Sequence, residues 1–148
     1  MTLILDAELE VKNSSGRRTI SADEFFITYM TTSMEADEVL MSILFKVPPT
    51  TSGWGFHEVA RRAGDYAMVG SGAVINIDGE GKCCYSRVVV FGASETPVRA
   101  TPVEDMLVGE KCTPDLVREA AEQVLGIIEP ESDVHVSEDY RKKAAVTL

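Results

Sequence analysis

The sequence is poor in the residues that build metal and catalytic centres. It has two histidines, His57 and His135, and three cysteines, of which Cys83 and Cys84 are adjacent and none forms a CxxC pair. Zinc sites need their ligands at characteristic spacings, so this inventory argues against a metal site. No Ser/His/Asp or Cys/His arrangement is present either. The odd number of cysteines favours a reducing compartment.

Long apolar runs and clustered positive charges are also missing. No run approaches the roughly 18 apolar residues that a membrane-spanning helix needs. No basic segment followed by an apolar one opens the chain. We therefore expect a cytoplasmic protein without a membrane span. The net charge is −10, which argues against a nucleic-acid partner because phosphate binding depends on clustered lysine and arginine. The acidity favours solubility or a basic partner subunit.

The first third of the chain predicts a hairpin, a short helix and an apolar strand. A length of 148 residues with 45% apolar content is enough for one domain with a core, or one domain plus a short extension. Alternating apolar residues indicate half-buried strands, and Ser21 with Glu24 three residues later indicates a capping box. In chain order the predicted strand, turn, strand, helix and strand are Leu3–Lys12, Asn13–Gly16, Arg17–Ile20, Ser21–Phe26 and Val39–Val47. Pro48, Pro49 and the polar residues after them mark the best internal boundary.

The remainder predicts strands followed by helices. The predicted strands are Phe56–Arg62, Ala67–Ile77, Cys84–Phe91 and the short Thr96–Ala100. Asp78–Gly81 is a hairpin turn between the second and third of these. Three helices are predicted to start at the caps Thr101, Thr113 and Ser137, the first two with proline at the first helical position.

This order is the α+β pattern. We expect an antiparallel sheet of three to four strands with a layer of about three helices on one face. A short β-hairpin and helix extension precedes it. Gly70–Gly72 and Gly79–Gly81 lack the strand-loop-helix context of a phosphate-binding loop. We interpret the first as close backbone packing or a bulge within a strand, and the second as the hairpin turn.

An unusual mixture of residues lies where the predicted strand Phe56–Arg62 is joined to the predicted strand Ala67–Ile77. Arg61, Arg62, Asp65 and Tyr66 lie within it together with Gly64. An arginine that pairs with Asp65 would fix the turn. A flat aromatic ligand or a partner surface would use the charges, the tyrosine ring and the flexible glycine together. The residue types alone leave both interpretations open.

At these residues the chain resembles a known family. It is similar to the C-terminal part of the FAD-binding medium subunit of molybdenum hydroxylases, a group that includes carbon monoxide dehydrogenase and xanthine dehydrogenase. The motifs are Gly55-Phe56-x-Glu58-x-Ala60-Arg61-Arg62-x-Gly64-Asp65-Tyr66-Ala67-x-Val69, Phe91-Gly92-Ala93 with Thr96-Pro97-Val98-Arg99-Ala100, Glu104-x-x-Leu107-x-Gly109, and Ser132-Asp133 with Ser137-x-x-Tyr140-Arg141. Each is weak alone, but the ordered set is fairly specific.

The resemblance implies an electron-transfer role. In such complexes a molybdenum large subunit oxidises the substrate, an iron–sulfur small subunit relays the electrons, and FAD in the medium subunit passes them to an acceptor. The resemblance assigns residues 1–49 to the end of an FAD-binding domain and residues 50–148 to the C-terminal α+β domain. It implies that Asp65 and Tyr66 lie beside the flavin ring, with Arg62 and Ala67 in the same motif. Arg61 and Arg62 would hold the corner.

One departure from the family pattern concerns the cofactor grip. The family's glycine- and serine-rich loops that hold the FAD pyrophosphate lie upstream of anything in this sequence. We therefore expect a fragment or split subunit that is inactive in isolation, with FAD bound in the intact subunit but absent from this chain alone. The missing N-terminal FAD domain is then an expected partner. The alternative is a flavin-free assembly or dimerisation module, in which the chain forms a homodimer.

Overall fold

The computed structural model describes residues 1–148 and contains nine strands and four α-helices. The strands β1 to β9 are Glu8–Lys12, Arg17–Ser21, Phe26–Thr28, Thr31–Thr32, Val39–Leu44, Gly53–Val59, Val69–Ile77, Cys83–Phe91 and Val98–Arg99. The helices α1 to α4 are Ala22–Phe25, Thr101–Leu107, Pro114–Glu122 and Glu138–Thr147, and a 3₁₀ turn, Gln123–Gly126, follows α3.

The main sheet is antiparallel and has the order β6-β7-β8-β9. Its central hairpin turns at Asp78, as predicted, and the Asp78 Oδ1 atom accepts hydrogen bonds from the backbone N–H groups of Glu80 and Lys82, both at 2.9 Å. The alternation along β8 sends Val89 to one face of the sheet, while Val88 and Val90 go to the other. Both faces are therefore available for packing.

Helices cover one face of this sheet. The predicted caps of the last two helices are confirmed, because the Thr113 and Ser137 hydroxyls accept from the backbone N–H groups of Leu116 and Tyr140. The apolar faces of α2, α3 and α4 pack on the sheet in one buried cluster: Val69, Cys83, Val90, Ala93, Ala100, Val103, Leu107, Ala120, Val124, Ile128 and Ala145. The prediction of an α+β fold with a layer of helices on one face of an antiparallel sheet is confirmed.

The N-terminal piece covers part of the other face. It forms a second sheet with the order β2-β1-β5, and its core reaches the main sheet through Val74 and Val89. Gly72 in β7 leaves room for this approach, because a Cβ atom on it would lie 2.5 Å from Ile4 Cδ1. Within the main sheet itself, a Cβ atom on Gly70 would lie 2.2 Å from the Phe91 ring. The interpretation of Gly70–Gly72 as close packing is confirmed.

The first predicted strand begins later than expected. Residues 2–6 form a turn rather than a strand, with the Leu5 N–H group donating to the Met1 carbonyl and Asp6 at φ 43°. This turn sends both Leu3 and Ile4 into the core. An alternating strand would have placed these neighbours on opposite faces, so the prediction was wrong for residues 3–7.

Two predicted capping roles were also wrong. The Ser21 hydroxyl donates to the Glu24 carboxylate at 2.9 Å and caps no backbone group. Helix α2 begins at Thr101 itself, with Ala100 at the cap position and no side-chain cap. Glu104 lies inside the molecule with 4% of its surface exposed, where arginine side chains compete for its carboxylate.

A network of four charges joins the N-terminal piece, the sheet and α2. The Glu104 carboxylate accepts from the Val88 backbone N–H at 2.9 Å and from Arg99 Nη2 at 2.9 Å. Arg99 Nη1 also donates to Asp6 Oδ1 at 2.9 Å, and Arg87 Nε donates to Asp6 Oδ2 at 3.0 Å. The Glu104 carboxylate raises the pKa of Arg99, so the guanidinium stays charged. The network holds elements that are 93 residues apart in sequence.

Strand β5 contrasts with this packed interior. All six of its residues, Val39–Leu44, are exposed, although five of them are apolar. Val47 and Trp54, close by in the chain, are exposed as well, Trp54 to 80%. An exposed apolar edge strand is uncommon in a self-sufficient domain.

We expect Glu104→Ala to lower the free energy of unfolding by about 3 kcal/mol, because it leaves Arg87 and Arg99 short of a carboxylate in a mostly buried setting. Urea unfolding followed by circular dichroism measures this change. Asp105→Ala, at the exposed next position of the same helix, is the control and should change stability little. Equal effects of the two substitutions would contradict a structural role for the network.

Candidate functional site

The joint between β6 and β7 forms a closed corner at residues 60–68. The predicted strand Phe56–Arg62 is displaced: β6 ends at Val59, so both arginines belong to the corner. The Met68 N–H group donates to the Val59 carbonyl at 2.8 Å and closes the corner. Inside it, the Asp65 N–H group donates to the Arg62 carbonyl at 3.1 Å, and Gly64 has φ 87°.

The four predicted site residues lie together on this corner. Tyr66 is 100% exposed, so its ring makes no packing contact with the rest of the chain. Arg62 is exposed, while Asp65 and Ala67 are half-buried. A Cβ atom on Gly64 would meet nothing within 4 Å, so the space beside it is open. The corner is not buried against the protein's own helices.

The ion pair that could fix the corner is weak. Arg61 Nη2 lies 3.7 Å from Asp65 Oδ2, and both side chains are substantially exposed. Exposed pairs of this kind contribute about 0–1 kcal/mol. The pairing of an arginine with Asp65 is therefore present, but it does not explain the shape of the corner.

The segment 132–141, which carries the last motif of the family resemblance, lies against this corner. Arg61 Nη1 is 3.2 Å from His135 Nδ1. A shallow groove of about 370 Å³ runs between the two segments and is lined by Met68, His135, Val136, Ser137 and Tyr140. Sequence reasoning singled out both segments but did not predict that they meet.

Arg141 is the functional candidate whose contacts sequence reasoning missed. Its guanidinium donates to Asp133 Oδ2 at 2.6 Å and so ties the last helix to the loop before it. The same guanidinium also donates to the Met68 carbonyl at 2.5 Å and to the Gly92 carbonyl. Met68 ends the corner, so the last helix supports the corner from behind.

The arrangement contains no apparatus for bond-breaking chemistry. No group of three metal-ligating side chains occurs in the molecule. The three cysteines are free thiols, and burial raises the pKa of Cys83, which keeps this thiol protonated and unreactive. His57 is exposed on β6. An open corner with an uncovered aromatic ring, a carboxylate and two arginines is suited to contact a flat ligand or a partner surface.

Two family models divide the sequence between them. The CO dehydrogenase flavoprotein C-terminal domain matches residues 54–148. The FAD binding domain in molybdopterin dehydrogenase matches residues 1–49. The first match covers most of the chain and includes the whole corner. The chain belongs to the CO dehydrogenase flavoprotein family, and the resemblance seen in the sequence is confirmed.

Curated relatives of this chain include subunits of bacterial hydroxylases and dehydrogenases. The nicotine 6-hydroxylase medium subunit of Paenarthrobacter nicotinovorans is 34% identical over 139 residues, which are 94% of this chain and 48% of that protein. The carbon monoxide dehydrogenase medium chain of Hydrogenophaga pseudoflava is 29% identical over 146 residues, or 98% and 50% of the two chains. The chain thus spans about half the length of these two relatives.

Solved structures show the same fold. Carbon monoxide dehydrogenase from Hydrogenophaga pseudoflava superposes with a TM-score of 0.94 at 29% identity, covering 99% of this chain and 50% of that one. Quinoline 2-oxidoreductase from Pseudomonas putida 86 gives 0.89 at 34% identity, with 99% and 50% covered. None of the helices combines the length and apolar content needed to cross a bilayer.

We expect Gly92→Ala to lower the free energy of unfolding by about 2 kcal/mol. Gly92 has φ 77°, a conformation that costs other residues about 1–2 kcal/mol. A Cβ atom there would also lie 2.7 Å from the Met68 carbonyl oxygen. Urea unfolding measures the loss. The control is Gly79→Ala, where a Cβ atom meets nothing within 4 Å. If both variants unfold alike, the close contact behind the corner is not a constraint.

Proposed function

We propose that this chain is the C-terminal portion of the FAD-binding medium subunit of a molybdenum hydroxylase, and that its corner forms one wall of the flavin pocket. The observation that carries the proposal is the contrast within the corner. Its backbone is fixed from behind by Arg141, yet Tyr66 at its front is fully exposed. A tyrosine ring that the chain itself does not cover, carried on a supported backbone, is free to stack on another molecule.

The residues of the corner fit a flat heteroaromatic ring. Tyr66 offers a free ring face for stacking or for limiting access, and the Asp65 carboxylate can accept a hydrogen bond from an N–H group at the ring edge. Arg62 is exposed beside them, and the open space at Gly64 admits close approach. FAD, when bound, accepts electrons from the iron–sulfur centres and passes them to an acceptor. The chain's own residues orient the ring and shield it from water.

The main grip on FAD lies outside this chain. No glycine-rich turn here leads from a strand into a helix N-terminus, which is the usual cradle for a pyrophosphate. FAD therefore binds in the intact subunit and is not retained by this chain alone. The partners are a molybdenum-cofactor large subunit, an iron–sulfur small subunit and the N-terminal part of the FAD-binding domain. The relatives named as medium subunits of nicotine 6-hydroxylase and carbon monoxide dehydrogenase support this assignment.

A flavin-free assembly module is the second candidate, and the exposed strand β5 favours it. An apolar groove of about 630 Å³ elsewhere on the surface includes the exposed residues Val47, Trp54 and Phe56 in its lining. Apolar surface of this kind is covered in most proteins by a partner or by a second copy. The flavin experiment below separates the two candidates.

The test uses a chimera that joins the preceding half of the Hydrogenophaga pseudoflava medium chain to residues 1–148. We expect the chimera to keep about one FAD per chain after desalting, measured by visible absorbance, and the 148-residue chain to keep none. A chimera that folds but stays colourless would favour the assembly module. Retained colour on the 148-residue chain would overturn our expectation that the grip lies elsewhere.

Substitutions at the corner test the wall itself. In the chimera, Tyr66→Ala should weaken FAD binding two- to twelve-fold, because aromatic stacking contributes about 0.5–1.5 kcal/mol. Tyr66→Ala and Asp65→Ala should each change the rate of flavin reoxidation after chemical reduction, measured by stopped-flow absorbance. Tyr66→Phe keeps the ring and should resemble the unmodified chimera in binding. Tyr29→Ala, at an exposed tyrosine in another part of the chain, is the control. Unchanged binding and rates in both corner variants would remove these residues from the site.

A further inference from the structure

Arg141 connects three separate segments through one side chain. It lies in α4 with 13% of its side chain exposed. One terminal nitrogen, Nη1, donates to the carbonyls of Met68 and Gly92. The other, Nη2, donates to Asp133 Oδ2 at 2.6 Å. These acceptors belong to the end of the corner, the end of β8 and the loop before α4.

Only an arginine can make this set of contacts. A guanidinium holds its donors in a rigid planar fork, whereas a lysine has a single nitrogen on a flexible stem. Arg141 Nε is buried without a partner. An unpaired buried donor is costly. The hydrogen bonds of the two terminal nitrogens, Nη1 and Nη2, therefore determine where the side chain lies.

Hydrogen bonds within its own loop fix the position of the Asp133 carboxylate beside this arginine. Its Oδ1 atom accepts from the backbone N–H groups of His135 and Val136 at 2.7 and 2.9 Å. These two bonds, with the nearby Arg141, lower the pKa of Asp133, so the carboxylate is charged at neutral pH. A charged carboxylate held by its own loop is a fixed counter-ion that orients the guanidinium.

Gly92 brings the second carbonyl into reach. Its positive φ turns the chain at the end of β8, and the absence of a Cβ atom lets it lie against Met68. The two carbonyls therefore point at the same nitrogen. By contrast, the surface pair of Arg61 and Asp65 is long and exposed, so it cannot set the position of the corner.

We propose that Arg141 is a positioning residue for flavin chemistry: from the last helix, and oriented by Asp133, it holds residues 60–68 in the shape that presents Tyr66 to the ring. Its action on flavin rests on the proposed function above. Its action on the corner does not, because the contacts are internal to the chain. On this proposal, Arg141 sets the shape of the corner, and Arg61 and Arg62 do not.

Hydrogen exchange of the 148-residue chain tests the internal part. Arg141→Lys keeps the charge but loses the fork, so amide exchange in residues 60–68 should become about tenfold faster or more, since hydrogen bonds to charged groups are worth more than neutral ones. The core of β7 and β8 should exchange as before. Arg118→Lys makes the same change at an exposed ion pair on α3 and should leave the corner unchanged. Unaltered exchange at the corner in Arg141→Lys would overturn the proposal.

Asp133→Asn is a second, milder variant that keeps the proposal testable if Arg141→Lys does not fold. Its amide oxygen can still accept from the backbone of its own loop, but the charged contact with Arg141 is lost. The same region, residues 60–68, should exchange faster, by a smaller factor than in Arg141→Lys. A change spread evenly over the chain in both variants would mean that Arg141 only stabilises the fold, and it would overturn the positioning role.

Flavin in the chimera tests the functional part. Arg141→Lys should shift the flavin absorbance spectrum and the reoxidation rate in the direction of Tyr66→Ala, with FAD still bound. If Tyr66→Ala alters the flavin and Arg141→Lys does not, the positioning proposal fails while the proposed function stands. If neither variant alters the flavin, the corner is not a wall of the flavin pocket, and the flavin role of Arg141 fails with it.

Discussion

The arrangement of the molecule depends on four charges enclosed between its layers. Asp6, Arg87, Arg99 and Glu104 come from the N-terminal turn, two strands of the main sheet and the first helix on its far side. Charges removed from water are tolerated only when each finds partners, so these groups fix how the layers meet. Because Glu104 also accepts from the Val88 backbone, the network sets the position of β8. The carbonyl of Gly92 lies just beyond that strand.

The molecule combines a firmly built interior with two uncovered surfaces. The corner is supported from inside but presents an unpacked tyrosine, and β5 is an apolar edge strand with all six residues exposed. The first surface belongs to the flavoprotein domain and the second to the part that matches the FAD binding domain. A chain that spans half the length of its relatives and exposes apolar surface in this way is well suited to contact further polypeptide.

Local patterns predicted the local structure well. The hairpin at Asp78, the caps Thr113 and Ser137, and the sheet with helices on one face all follow from turn chemistry and periodicity, and the site motif lies on a single corner. Contacts between distant residues could not be predicted this way. Glu104 has the spacing of a helix cap but pairs with arginines, and Arg141 bonds a carbonyl 73 residues away. Nor does alternation reveal that Leu3 and Ile4 are both buried by a turn.

The distance between Met68 and Arg141 along the chain has a consequence for biosynthesis. A polypeptide emerges from the ribosome in sequence order and begins to fold as it does so. The two hairpin strands beside the corner can pair early, but the guanidinium behind it is translated 73 residues later. The contact between Arg141 and the Met68 carbonyl therefore forms only after helix α4 has been made and has docked. A nascent chain in which that helix has not yet docked would lack the contacts of Arg141 behind the corner.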